Sequence, residues 1–284
     1  MNIKSIAIVG AGTMGQGIAQ VFASGGFNTF LFDANSSMID LAIDKINKGL
    51  CAMVEKGKIS VEDKNNTLNR INPINAFDQV KADLILEAIV EDLATKQNLF
   101  HRLEKQNSPN TFFCSNTSSL FVSKIFAECT NQSRCLGVHF FNPAHVMKLV
   151  ELISGVQTSP HVVAEVANLL KQLGKITVTA KDSPGFIVNR VARPFYLESL
   201  KILEEGGSSV EDIDALLRST GFKMGPFELI DLIGLDVNLA VSQAVYEGFN
   251  QNPKYKPNAI QIQKVKESHL GRKSGRGFYD YKNN

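Results

Sequence analysis

The chain has 284 residues, 44% hydrophobic and 20% charged, a globular balance that excludes a disordered chain and suits one or two domains. Thirty basic against twenty-eight acidic residues leave a formal charge of +2, which argues against a nucleic-acid binder with its concentrated basic surface. No apolar run approaches the ~18 residues that span a membrane, and no signal-peptide core follows Met1, so no membrane association is expected. The four cysteines (Cys51, Cys114, Cys129, Cys135) form no CxxC pair and read as reduced thiols of a cytoplasmic protein. The five histidines make no HExxH or His/Cys cluster, and no metal site is expected.

In chain order, Ser5–Val9 reads as a short buried strand, followed by glycines and a helix from about Met14 to Ser24 that Gly25-Gly26 closes. Thr29–Phe32 is a second strand ending at Asp33, which completes a βαβ unit. From Ser36 to Arg70 the pattern is helical and polar. Met38, Leu41, Ile43, Ile46 and Leu50 mark its apolar side, and Lys56-Gly57-Lys58 its turn, so a helical hairpin is expected. Further strands are predicted at Leu84–Leu86, Thr111–Cys114, Leu136–Val138, Leu149–Ile153 and Ile176–Val178, some separated by helices near 93–105 and 161–173. The alternation predicts an α/β fold with a largely parallel sheet covered by helices on both faces.

Near residue 183 the texture changes. Ser183-Pro184 predicts an N-cap with proline at the first helical position, and apolar Ile187, Val191, Phe195, Leu200 and Leu203 continue to Gly206-Gly207. Ser209 and Asp212 resemble a capping box for a second helix through Leu217, and Gly225-Pro226 opens a third reaching about Gly248. No strand is expected here. The predicted domains are therefore 1–183 and an all-helical 184–284.

Gly10-Ala11-Gly12-Thr13-Met14-Gly15 is a GxGxxG placed directly after a strand and opening a helix. The first glycine permits the turn, the second lets backbone approach a pyrophosphate, and the third lets helix and strand pack. Asp33, eighteen residues after Gly15, can accept hydrogen bonds from ribose hydroxyls and repels a 2′-phosphate, so NAD is expected over NADP. A plain glycine turn is the alternative. His139 ends the run Leu136–Phe140, and Glu151 follows twelve residues later amid Leu149, Val150, Leu152 and Ile153. Two strands joined by a short connector could set imidazole and carboxylate side by side as a general-base pair, although a packed, satisfied histidine is the commoner outcome. Ser115–Ser119 is a polar patch at a strand's carboxyl end, where α/β sheets bind ligands; helix capping would also account for it. Asn189 falls on an otherwise apolar helix and needs partners for its amide.

GAGTMG, SNTSSL, GVHFFNP, MKLVELI, DSPGFIVNR and MGPFELIDLIGLD occur in this order. Together they resemble the L-3-hydroxyacyl-CoA dehydrogenase family in its short free-standing form, most closely its bacterial members acting on 3-hydroxybutyryl-CoA. The resemblance runs from Ile6 to the tail motif Gly271–Phe278. It implies a Rossmann-type NAD domain, and reversible hydride transfer between NAD and C3 of a short-chain 3-hydroxyacyl-CoA, with acetoacetyl-CoA as the oxidised partner. It further implies that His139 is the base, that Glu151 holds it, and that Ser118 and Asn189 hydrogen-bond the substrate oxygen. Asp33, Glu91, Lys96, Asn116, Asn142 and Lys273 match positions near the dinucleotide, and Lys56 matches a CoA-phosphate contact on the hairpin. Gly49 stands where the family often has serine. Lys48, Lys56 and Lys58 could receive CoA phosphates, or form a solvated basic face. A homodimer through residues after 183 is likewise implied.

Overall fold

The computed structural model describes residues 3–281, and the chain divides into two compact units, Met1–Asp182 and Ser183–Asn284. In the first, β1 (Ser5–Val9), β2 (Asn28–Phe32), β3 (Ile71–Ile74), β4 (Leu84–Glu87), β5 (Phe112–Ser115), β6 (Cys135–Phe140), β7 (Leu149–Ser154) and β8 (Ile176–Lys181) form one sheet, ordered β3-β2-β1-β4-β5-β6-β7-β8. All neighbours are parallel except β6 and β7, which run antiparallel. Strand order reverses beside β1, whose partners are β2 and β4; that switch is where open α/β sheets take ligands. Helices α1 (Thr13–Ser24), α2 (Ser36–Glu55), α3 (Val61–Asn69), α4 (Leu93–Gln106), α5 (Val122–Ile125) and α6 (Pro160–Gln172) complete the unit.

Strands inside this sheet read as continuous apolar runs because helices cover them. Ile6, Ile8, Leu31, Leu86, Leu136 and Val150 are buried with Ile18 and Phe22 of α1, each burial stabilising by about 1.5–3 kcal/mol. The ring of Phe22 meets Phe140 of β6 edge-on at 6.4 Å, linking α1 to the strand that carries His139.

Two expectations for this unit need correction. The apolar face of α2 is Ile39, Ala42, Ile46 and Leu50, while Leu41 is exposed; two residues from Ile39 is about 200° of helical turn, the opposite side. Met38 and Ile43 are only partly buried at the margins of that face. Strand β3 has no counterpart among the predicted strands. Its Pro73 would interrupt a central strand, but β3 is an edge paired only with β2, where proline is tolerated.

The second unit is α7 (Val188–Glu204), α8 (Val210–Ser219), α9 (Pro226–Ile233), α10 (Leu235–Gly248) and α11 (Ala259–Lys266). Helix α7 starts later than Ser183-Pro184 suggests. Gly185 (φ +71°) and Phe186 (φ +49°) are left-handed, and Phe186 N–H donates to Ser183 O at 3.0 Å, so the segment is a turn. The single helix expected from 226 to 248 is two, bent by 101° at Gly234 (φ +102°). Among the described residues no single helix is long and apolar enough to cross a membrane.

Candidate active site

The glycines divide their work as physical spacing demands. Gly10 is left-handed (φ +106°), and a Cβ there would stand 2.6 Å from Ala88 O; one on Gly15 would stand 1.7 Å from Gly10 O. Both positions are closed by the protein itself. A Cβ on Gly12 would meet nothing within 4 Å, and Gly12 caps α1 without a side-chain bond. The cradle is therefore open at the helix N-terminus, where backbone N–H groups and the helix dipole favour phosphate. This open space fits a dinucleotide.

Asp33 has backbone partners that the spacing did not suggest. Its Oδ2 accepts Ala11 N–H at 2.7 Å and its Oδ1 accepts Asn35 N–H at 2.9 Å, so it also holds the glycine turn in place. Each carboxylate oxygen retains a lone pair for a ribose hydroxyl.

His139 and Glu151 face each other as a register pair across antiparallel β6 and β7. Directly opposed residues project to the same side of a sheet, and here Nδ1 lies 2.7 Å from Glu151 Oε2. Both are buried, at 6% and 1% exposure. An ionised carboxylate only accepts, so Nδ1 carries the proton and the basic lone pair sits on Nε2. The Phe141 ring lies 4.5 Å from the imidazole centroid. Beside the pair, Asn116 donates its N–H to Glu87 O at 2.8 Å and accepts Phe140 N–H on Oδ1 at 2.9 Å, which ties the end of β5 to the histidine strand.

Ser118 is half-buried in the turn after β5, and its N–H donates to Glu91 Oε1 at 3.0 Å. The same oxygen accepts Thr117 Oγ1–H at 2.5 Å. Burial pushes the Glu91 carboxyl up, but the charge of Lys96 and the bonds from Thr117 and Ser118 outweigh it and hold the pKa below the ordinary range. Lys96 is 1% exposed and paired with Glu87 at 2.5 Å and Glu91 at 3.2 Å; its ammonium is spent inside the protein.

Residues 5–183 match the family model described as 3-hydroxyacyl-CoA dehydrogenase, NAD binding domain, and residues 185–281 match its C-terminal domain. The chain belongs to the 3-hydroxyacyl-CoA dehydrogenase family. It is thereby one of a family of NAD-dependent oxidoreductases. Among its relatives is the 3-hydroxyadipyl-CoA dehydrogenase of Escherichia coli, 44% identical over 99% of this chain, which spans 60% of that protein's length. The probable 3-hydroxybutyryl-CoA dehydrogenase of Bacillus subtilis is 38% identical over 99% of this chain and 98% of its own. The crystal structure of (S)-3-hydroxybutyryl-CoA dehydrogenase from Ralstonia eutropha superposes with a TM-score of 0.94 at 39% identity, covering 99% of this chain and 100% of that one.

Other positions drawn from the 3-hydroxyacyl-CoA dehydrogenase resemblance lie as follows. Lys56 is exposed at the C-cap of α2, with Lys48 and Lys58 also exposed on the hairpin, and Gly49 opens onto empty space. Asn142 is exposed and shares a shallow cavity with Thr13, Gln16, Lys45 and Gly49. In the second unit, Asn189 occupies the first turn of α7, and its carbonyl accepts Arg193 Nε–H at 3.2 Å. Lys273 pairs with Asp236 at 2.5 Å.

Sequence reasoning passed over Glu87, Lys175 and Asp182. Lys175 donates to Ala144 O at 2.6 Å and Met147 O at 2.8 Å, pinning the loop after the histidine strand. Asp182 accepts Val122 and Ser123 N–H, each at 2.8 Å. Glu87 carried a usable signal: like Glu151, it is a carboxylate set against an apolar strand run, Leu84-Ile85-Leu86, and so needs a partner.

Proposed function

We propose that this protein interconverts (S)-3-hydroxybutyryl-CoA and acetoacetyl-CoA with NAD, His139 moving the hydroxyl proton and Glu151 orienting its ring. The observation that carries this reading is the buried 2.7 Å contact between His139 Nδ1 and Glu151 Oε2. Glu151 keeps the proton on Nδ1, so Nε2 takes the substrate proton, and its charge stabilises the imidazolium that forms. When bound, NAD supplies the hydride acceptor or donor for C3. The open cradle at Gly12 and the carboxylate of Asp33 support NAD as the dinucleotide.

Ser118 holds the substrate oxygen in this proposal, and Asn189 is assigned the same partner on resemblance alone. Lys56, with Lys48 and Lys58, receives CoA phosphate as point charges. The names of the Bacillus and Ralstonia relatives support a short acyl chain. The Escherichia coli relative's name supports a second reading, in which the acyl chain ends in another carboxylate. Exposed Val191, Leu216 and Phe222 of the helical unit support assembly with a second copy of the chain. Unpaired cysteines, three of them buried, suit a reducing cytoplasm.

The test is oxidation of NADH with acetoacetyl-CoA, 3-oxoadipyl-CoA and free acetoacetate, each repeated with NADPH. Rapid turnover is expected with acetoacetyl-CoA and NADH. Preference for the adipyl thioester selects the second reading, and equal turnover of free acetoacetate removes Lys56 from recognition. Bound NADH with no turnover of any of them rejects the reaction.

A further inference from the structure

Glu87 is the last residue of β4, 0% exposed, beside the switch in strand order. Its Oε1 accepts Lys96 Nζ at 2.5 Å and Ile89 N–H at 2.7 Å, and its Oε2 accepts Ser115 Oγ–H at 2.6 Å. Lys96 reaches on to Glu91 Oε2 at 3.2 Å. The other Glu91 oxygen collects Thr117 Oγ1–H at 2.5 Å, Ser118 N–H at 3.0 Å, Ser119 N–H at 3.2 Å and Ser119 Oγ–H at 3.1 Å. A continuous line of charge thus runs from the end of the central sheet to the backbone of the turn that carries Ser118. Beyond the turn, Asp182 holds Val122 and Ser123 by their N–H groups.

Two carboxylates and one ammonium are a poor way to hold a fold together. Desolvating them offsets most of their mutual attraction, and an apolar side chain in place of each would pack as well. What the ions provide is direction: one carboxylate oxygen receiving two consecutive backbone N–H groups and two flanking hydroxyls admits few turn geometries. We infer that Glu87 is a positioning residue for Ser118, acting through Lys96 and Glu91 to set the turn 117–119 on which that hydroxyl meets the substrate oxygen. The inference rests on the role given to Ser118 in the proposed reaction. Glu87 touches no substrate; it orients a residue two charges away.

A double-mutant cycle tests it. Glu87→Gln keeps shape but removes charge, and it should lower kcat about tenfold while the NADH Kd, read by fluorescence titration, moves less than about twofold. In a Ser118→Ala background the same change should lower kcat less than about twofold, because residues acting through one group do not add. Ser119→Ala removes a single bond to Glu91 and keeps the test open should Glu87→Gln fail to fold; it should lower kcat about two- to fivefold, again only while Ser118 is present. Multiplicative losses in either cycle overturn the inference and make Glu87 merely structural. A Ser118→Ala enzyme at full rate also overturns it, by removing its target, and leaves the dehydrogenase reading to stand or fall on His139.

Discussion

Each unit of the molecule buries carboxylates, and Glu151 of the first meets a different kind of partner from Asp214 and Asp231 of the second. In the first unit Glu151 faces the imidazole of His139, whose ring is a titratable partner. In the helical unit Asp214 and Asp231, 0% and 1% exposed, are closed by donors that give nothing further. Asp214 accepts Phe227 and Glu228 N–H at 2.9 Å each, and Tyr279 Oη–H at 2.8 Å. It caps α9 in place of Gly225, whose own side chain could not exist: a Cβ there would lie 2.3 Å from the Asp214 carboxyl. Asp231 accepts Phe278 and Tyr279 N–H at 2.9 Å each, and Tyr281 Oη–H at 3.1 Å, which staples the tail to α9. Burial by itself therefore does not mark a carboxylate for chemistry.

Five substitutions, two of them compared by titration, test these contrasts. The largest effect is expected from His139→Gln, which should lower turnover about 10²–10⁴-fold, the usual scale of a lost general base, with the NADH Kd little changed. A variant retaining most of its turnover in stopped-flow assays would show His139 to be only packed. Glu151→Gln still offers an acceptor but no charge, and should lower kcat about 10–100-fold with an unchanged thermal midpoint, equivalent to a charged hydrogen bond of about 1.5–3 kcal/mol. Asp231→Asn should do the reverse. Its amide turns an N–H toward other N–H donors, costing about 1–3 kcal/mol of stability that calorimetry would read as a lowered midpoint.

Acid separates Glu91 of the first unit from Asp231 of the second. Glu91, with its carboxyl held low, contributes stability that is complete above the unfolded value near pH ~4.3 and is lost as pH falls through the folded value. Burial raises the Asp231 carboxyl despite its bonds to Tyr279, Phe278 and Tyr281, so its contribution has the other sign and declines as pH rises through the folded value. Thermal midpoints measured on acidification should accordingly fall less steeply in Glu91→Gln than in the natural chain, and more steeply in Asp231→Asn. Parallel curves for all three would show that neither group differs between folded and unfolded states. The smallest effect belongs to Lys56→Ala: an exposed point charge should change the KM for acetoacetyl-CoA about two- to fivefold, and less in high salt.

Much of the site was legible because short-range chemistry spells it out. A glycine turn between strand and helix, an acid at the next strand's end, and the apolar runs around His139 and Glu151 all follow from local spacing. The helical limits were less legible. Positive φ at Gly185 and Phe186 delays α7, and Gly234 divides one apolar stretch into α9 and α10; both breaks come from backbone conformations that periodicity does not carry. Leu41 and Ile39 are equally apolar, and only packing of α2 decided which is buried.

The sequence by itself determined the strand–turn–helix cradle, the alternation that makes a parallel sheet, and the residue types able to move a proton. Tertiary structure alone decided which charges are spent. Asp33 is drawn into bracing Ala11, Lys96 is consumed between Glu87 and Glu91, and Glu151 reaches His139 only because β6 and β7 run antiparallel in one register. A side chain's charge is written in its formula. Its partner is set by strands and loops brought together from far along the chain, and that pairing determines whether the charge holds the fold or serves a reaction.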